Sequence, residues 1–389
     1  MKLSRRARSQ AAAYAGIAAV LLLVTVVVPA LGVFDVPELP APQGRTLHGT
    51  VTRVLEERTQ ETERGEVRYQ RLEVDLGDQT VTVEHSRTER DAGALEVGPG
   101  DRVLVGTSTG PDGTIYYIAD HQRTLPLWAL ALAFAGLVLL VGRTGGMWSL
   151  VGMGASLLVI VRFIIPGILS GHNPVAVSIL GALAIMVTTL FLAHGVNRKT
   201  AAALVGTAVS LGITAALATV SIAVARLSGI ASDDAATLQI LSDGTINAEG
   251  LLLGGIVIGA LGVLDDVTVA QASAVFELRR ANARLTALEL YRRGMNVGRD
   301  HIASTVNTLV LAYAGAALPL LIILSTQSQP LGDLLNREFM ATEIVRTLVG
   351  SMGIVAAVPV TTGLAALAAA RLAPEAEAPG AADASAHAH

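Results

Sequence analysis

The 389-residue chain contains no cysteine. That excludes disulfides, thiolate nucleophiles and cysteine-ligated metal centres. Charged residues are also scarce, at 15%, where soluble domains carry about 25%. Aromatic residues make up only 4%. The eight histidines are scattered, and the one close pair, His387 and His389, lies in a terminal Ala/Pro/Glu-rich segment. No spacing suits a zinc site, so no metal and no cofactor are expected. No Gly-x-Ser-x-Gly, Walker loop or His-Glu-x-x-His pattern is present, and an enzyme is not expected. Gly145 and Gly146 make a short turn and no phosphate cradle. The net charge of −4 is too small to imply a strongly acidic or basic partner. What the chain has is apolar residues, 52% of the total, with a mean hydropathy of +0.55. This is the composition of a polytopic α-helical membrane protein.

Residues 1–10 are basic, with Lys2, Arg5, Arg6 and Arg8. The apolar run over 11–33 is long enough to cross a bilayer as an anchor helix, which takes about 20 residues. A cleaved signal peptide ending at Ala30-Leu31-Gly32 is the rival reading, but the apolar run exceeds the roughly 7–15 residues of a signal core. A proline-rich linker covers 34–43. The only long polar region, 44–123, reads as β: strands at 46–54, 66–75, 80–84, 101–106 and 114–119, separated by Gly/Pro/Asp turns. Five short strands, with a longer segment at 85–97 between the third and fourth, predict a small OB-like barrel. Tyr69, Tyr116 and Tyr117 are its only aromatics, and acidic residues match basic ones, so nucleic acid is not an expected partner. A seven-helix bundle is predicted over 125–371, with spans at 125–141, 147–169, 174–193, 201–227, 251–276, 302–324 and 343–370. Residues 372–389 read as a disordered cytoplasmic tail. In all, about eight spans are expected. Lys and Arg concentrate in the segments 1–10, 142–146, 194–200 and 277–301. The positive-inside rule then puts both termini in the cytoplasm and the β domain outside.

The informative stretch is 251–299. It begins as an apolar helix with Gly254, Gly255, Gly259 and Gly262, then carries adjacent carboxylates, Asp265 and Asp266. An ionised side chain in the bilayer costs roughly 2.5–3.5 kcal/mol on insertion scales, so such residues face a bundle interior or a wet cavity. On a helix, Gly255, Gly259, Gly262 and Asp266 form one stripe, continued by Ser273 and Glu277. Small residues admit a close neighbour, so Asp266 is expected to face a packed helix, with Asp265 about 100° away on the side of Thr268. The next span carries Asp300, Ser304 and Asn307 on one face and His301, Thr305 and Thr308 on the adjacent one. Polar faces of the two spans, including Gln271, could therefore meet near the inner leaflet. Asp265, Asp266, Asn307 and Thr308 would supply oxygen ligands or relays for a proton or small cation, and the two carboxylates would titrate as a pair. The competing reading ends the span at Leu264. It leaves the carboxylates interfacial and makes Val267 to Tyr291 an amphipathic cytoplasmic helix. Arg162 is the candidate counter-ion, although its depth favours snorkelling outward. Glu343 and Arg346 read as a surface ion pair.

Three segments resemble the YibE/F family of bacterial membrane proteins. The first runs from Gly259 to Thr268, with Gln271 to Ala274 and Glu277-Leu278. The second runs from Gly294 to His301, with Asn307 to Leu309. The third is Glu343 to Arg346, with Gly350-Ser351 and Pro359. The resemblance implies a bacterial cytoplasmic-membrane protein of a family usually described as permeases. It adds more to the architecture than to the chemistry. A looser likeness links Gly262 to Val269 and Glu277 to Arg280 with the secretion accessory proteins SecD and SecF, which share the order of anchor, outside domain and helical bundle. The leading expectation is thus a permease, coupled to protons or cations through the Asp pair. The alternatives are a non-transporting scaffold whose β domain binds an envelope partner and a proton-driven accessory protein of the SecD/SecF kind. The lipid bilayer is the one expected partner in every case, and oligomers are compatible with it.

Overall fold

The computed structural model describes residues 15–16, 18–34, 45–62, 65–88, 95–110, 113–326 and 330–371. The basic segment 1–10, nearly all of the linker 34–43, residues 89–94 and the tail 372–389 lie outside the described residues. The chain divides into two units, Glu38–Val141 and Met1–Pro37 with Gly142–His389.

In the first unit, strands β1 (Thr46–Thr62), β2 (Gly65–Asp75), β3 (Thr80–Thr88), β4 (Arg102–Gly110) and β5 (Gly113–His121) form one antiparallel sheet, ordered β3-β2-β1-β4-β5. Inward positions alternate along the strands. Val51, Leu72, Val74, Val83, Val103, Val105 and Ile118 make the core with Val97. The predicted OB-like barrel is not closed: β3 and β5 approach each other but share no ladder. Strand length goes instead into a two-stranded ribbon, because β1 and β2 stay paired as far as Thr62 and Gly65. The predicted strand 66–75 already covers the β2 side of the ribbon, but β1 runs past its predicted end at residue 54, where both faces of the ribbon are polar. The backbone ladder and cross-strand ion pairs hold it: Arg68 with Glu57 at 3.3 Å and Arg71 with Glu56 at 3.7 Å. Arg71 also reaches Glu84 at 2.8 Å. β3 runs to Thr88, past the predicted end at residue 84. The turn after β2 forms as expected: Gly77 adopts φ 90° and donates its N–H to Asp75 Oδ1 at 2.8 Å.

The helices are α1 (Ala18–Ala30), α2 (Thr124–Leu169), α3 (Pro174–His194), α4 (Arg198–Ala225) and α5 (Asp233–Leu241). They continue with α6 (Ala248–Ala281), α7 (Ala287–Ala316), α8 (Leu318–Thr326), α9 (Leu331–Leu335) and α10 (Glu338–Ala370). Among the described residues five of them, α2, α3, α4, α6 and α10, are long and apolar enough to cross a membrane. There are six if α7 and α8, bent by 66°, act as one. The expected spans 125–141 and 147–169 both fall in α2. Its helical run is broken only at Arg143, at φ 50° and ψ −129°, a backbone region that L residues rarely adopt. Expected loops also hold short helices: α5 lies within 228–249 and α9 within 327–340. Capping residues mark the starts. Asn173, Asn197 and Asn247 accept N–H groups at the heads of α3, α4 and α6. Thr286 and Glu289 form a capping box on α7, the arrangement that satisfies orphan N–H groups reciprocally.

The core of the helical unit is α4, α6 and α10, with α3 against α6 and α7 against α10 and α6. These faces are built of small and hydroxyl residues. Thr361 sits against Gly206, Thr214 against Gly353 and Ser178 against Gly254, so closely that a Cβ at any of these glycines would collide with the hydroxyl. Lipid offers no hydrophobic drive between helices, and this close approach supplies the packing energy instead.

Candidate functional site

α6 is continuous through the carboxylate pair to Ala281 and is followed by a separate α7 from Ala287. The amphipathic helix expected over Val267 to Tyr291 therefore does not form as one element. The glycine stripe also faces the other way from the expectation. Gly255, Gly259, Gly262 and Asp266 are exposed, while α6 buries Leu253, Ile256, Val257, Ala260, Leu264, Val267 and Gln271 against its neighbours. Those larger side chains bury more apolar area, which decides which side of the helix is packed. The stripe is left as the floor of a groove beside α7.

Both carboxylates line one cleft, and Asp266 alone lines a second. Asp265 is half-buried and accepts a hydrogen bond from Thr189 Oγ1 of α3 at 3.3 Å, through its Oδ2. Its Oδ1 is buried and has no partner among the described residues. It lines a cleft of about 270 Å³ with Trp148, Gly152, Thr189 and His194. Asp266 borders that cleft too, and also lines a second one of about 350 Å³ with His301, Ser304, Thr305 and Thr308 of α7. Of the expected ligand set, the structure thus brings Asp266 and Thr308 together. Asn307 and Asp300 are exposed and outside both clefts. Thr308 Oγ1 donates to the Ser304 carbonyl at 2.9 Å, and Ser304 Oγ to the His301 carbonyl at 3.2 Å. Both hydroxyl oxygens keep lone pairs that can face a cation or proton carrier.

Other predicted residues serve the scaffold. Thr268 is fully buried. It shares a 2.6 Å hydrogen bond with Thr207 of α4 and donates to the Asp265 carbonyl at 3.1 Å. Gln271 is also fully buried and ties three helices together. Its Nε2 donates to the Gly294 carbonyl of α7 and to Thr362 Oγ1 of α10, each at 2.7 Å. Ser273 is half-buried. Glu277 pairs with Arg280 at 2.6 Å on the exposed surface. Arg162 is exposed within a π-helical turn, Ile160–Ile164, and is no counter-ion here. Among the described residues no ion pair reaches Asp265 or Asp266. No group of three His, Asp or Glu side chains among them could hold a metal ion.

Sequence reading missed Thr189 and Thr207, which position the Asp265 region. A hydroxyl in an apolar helix leaves little trace in periodicity. It also missed why Gly294 and Gly298 are glycine. A Cβ at Gly298 would lie 2.4 Å from Val358 Cγ1 and 3.0 Å from Gln271 Nε2. Glu343 and Arg346 do pair, at 2.7 Å, but half-buried at a cavity and not on an open surface.

No curated protein and no solved structure matches the chain. The profile of the YibE/F-like protein family matches residues 130–371, which hold α3, α4, α6, α7 and α10, both carboxylates and every residue around them. With its apolar helices and this match over more than half its length, the chain is a membrane protein belonging to the YibE/F-like family.

Proposed function

We propose that the protein is a permease of the bacterial cytoplasmic membrane and that Asp265 and Asp266 form its proton- or cation-coupling site. One observation carries this reading: Asp266 stands well inside a 34-residue apolar helix, opens into a cleft of hydroxyl and imidazole groups, and makes no ion pair among the described residues. An ionised carboxylate at the centre of a membrane helix costs roughly 2.5–3.5 kcal/mol on insertion scales, and among the described residues nothing in the surrounding scaffold uses Asp266 as an ion-pair partner. Carboxylates kept at that cost inside membranes mark ion and proton paths. In this reading the anchor and the seven-helix bundle make about eight spans with both termini cytoplasmic, and the β domain is outside. The two clefts lie nearer the cytoplasmic end of α6, because Asp266 is about 22 Å along the helix from Leu251 at 1.5 Å per residue. The bilayer and a proton or small cation are its partners.

The absence of cysteine makes the test clean. Gly262→Cys and Thr308→Cys place single thiols on the exposed glycine face of α6 and in the lining of the Asp266 cleft. Water-soluble, membrane-impermeant thiol reagents label both in vesicles if the cleft is aqueous. Inert thiols at both positions put Asp266 against lipid and remove the carrier reading.

The second reading is a scaffold whose β domain engages an envelope partner. It draws on a polar cleft of about 420 Å³ on the β1–β2–β3 face, lined by Glu56, Arg58, Tyr69, Arg71, Glu84 and His85. It predicts that deleting 44–123 destroys function while neutralising both Asp residues does not.

A further inference from the structure

A cavity of about 660 Å³ lies at the other end of the same glycine face, where α6 and α10 begin and α7 ends. Its volume is that of small-molecule sites, which run from about 300 to 1,000 Å³. Most of its lining is apolar, from Leu238, Leu251, Leu320 and Phe339 among others. Its polar groups are few and convergent. Arg346 and Glu343 stand side by side on α10, joined by one hydrogen bond from Arg346 Nη1 to Glu343 Oε1, so the rest of the guanidinium fork is available. Asp234 lines the opposite wall from α5. Thr342 also lines the cavity. It is 3% exposed, and its hydroxyl has no partner among the described residues. A hydroxyl buried without a partner costs about 1–3 kcal/mol, and a bound ligand would satisfy it.

The exposed glycine face of α6 runs from this cavity toward the carboxylates. Gly255 is in the cavity wall, Val263 and Asp266 are in the cleft with Thr308, and between them Gly259 faces the Tyr313 hydroxyl. A Cβ at Gly259 would stand 3.3 Å from that hydroxyl, whereas Gly255 and Gly262 have open space before them. Tyr313, which also lines the cavity, thus stands over the glycine face between the cavity and the cleft.

We propose that this cavity is the solute-binding site of the permease and takes a small zwitterion with an apolar body. The carboxylate of the solute sits on Arg346, its ammonium group on Glu343 and Asp234, and its body among the leucines and Phe339. The charge pattern selects this class. One cation beside two anions leaves a lone organic anion facing two like charges, and a simple amine brings no acceptor for the part of the Arg346 fork that Glu343 does not use. A planar guanidinium fork suits carboxylate recognition in particular. The inference rests on the carrier reading for its role, but binding at the cavity is measurable independently of transport.

The test uses the full-length protein in nanodiscs, with L-leucine as the probe zwitterion. Isopentylamine and 4-methylpentanoate serve as the same body with one charge removed. Binding is read by calorimetry and by thermal shift. Leucine is expected to bind saturably and at least tenfold more tightly than either single-charge analogue. Gly255→Leu projects a side chain from the cavity wall at a position where a Cβ has open space before it, and should abolish binding while leaving the protein folded. Arg346→Gln should erase the preference for leucine over isopentylamine. Asp266→Asn should bind leucine normally even where flux is lost, which separates a failure of this site from a failure of the coupling site. Absence of saturable leucine binding overturns the proposal, as does unchanged binding in folded Gly255→Leu. An unchanged preference in Arg346→Gln would overturn it too.

Discussion

Replacing Gly298 by alanine tests the packing that holds the α6–α7 region in place. The added Cβ would stand 2.4 Å from Val358 Cγ1, against about 3.5–4.0 Å for an ordinary carbon contact. Val358 cannot yield: it is fully buried, and a β-branched side chain on a helix has essentially one rotamer. α7 must therefore retreat from α10 by about 1 Å, and the 2.7 Å bond from Gln271 to the Gly294 carbonyl stretches with it. Overpacking of this kind costs about 1–3 kcal/mol, and a weakened interhelical hydrogen bond about 0.6 kcal/mol more. Alanine recovers about 1 kcal/mol of helix propensity. The net expectation is a loss of about 1–2 kcal/mol. Gly262→Ala is the control: nothing lies within 4 Å of its Cβ, so only the propensity gain of up to about 1 kcal/mol remains. Equilibrium unfolding of both variants in mixed detergent micelles should separate them by about 2–3 kcal/mol, the difference of those two nets. Equal stabilities, or a Gly298→Ala protein as stable as the parent, would refute the close approach of α7 to α10.

Two further substitutions probe neighbouring contacts. Gln271→Leu removes the amide that joins α6 to both α7 and α10 but leaves Thr362 bonded to the Val358 carbonyl at 2.5 Å. The expected loss in the same unfolding titration is about 1–2 kcal/mol, and an unchanged stability would mean the amide holds nothing. Glu338→Ala removes the carboxylate that accepts from the Ser228 N–H and hydroxyl, both at 2.6 Å, and from the Gly229 N–H at 3.0 Å. Limited proteolysis should then cut faster between α4 and α5, and an unchanged cleavage rate would show that the segment is held otherwise.

Helices with strong apolar runs and capping residues were legible in the sequence. Asn173, Asn197, Asn247 and Thr286 stand where α3, α4, α6 and α7 begin. The five strands were legible in number and order of appearance, through their Gly/Pro/Asp turns. Strand ends and sheet closure were not. The outer ribbon of β1 and β2 has no apolar period, and the pairing of edges is a long-range choice that local patterning does not encode. The orientation of α6 was misread for a related reason. Glycines mark where a helix can be approached closely, but Gly255 and Gly262 meet nothing, and the close contacts fall on Gly254, Gly206 and Gly298. Asp265 and Asp266 could be singled out by their cost in lipid. How they line the two clefts depends on which neighbours supply hydroxyls, and neither Thr189 nor Thr207 stands out in its apolar helix.

The most direct test of an acidic carrier site is solute and proton flux into proteoliposomes, screened at several pH values, with Asp266→Asn beside the parent. The carrier reading predicts flux in the parent and none in an Asp266→Asn protein that still inserts and unfolds at the parent's temperature. Parent-level flux in that variant would contradict it.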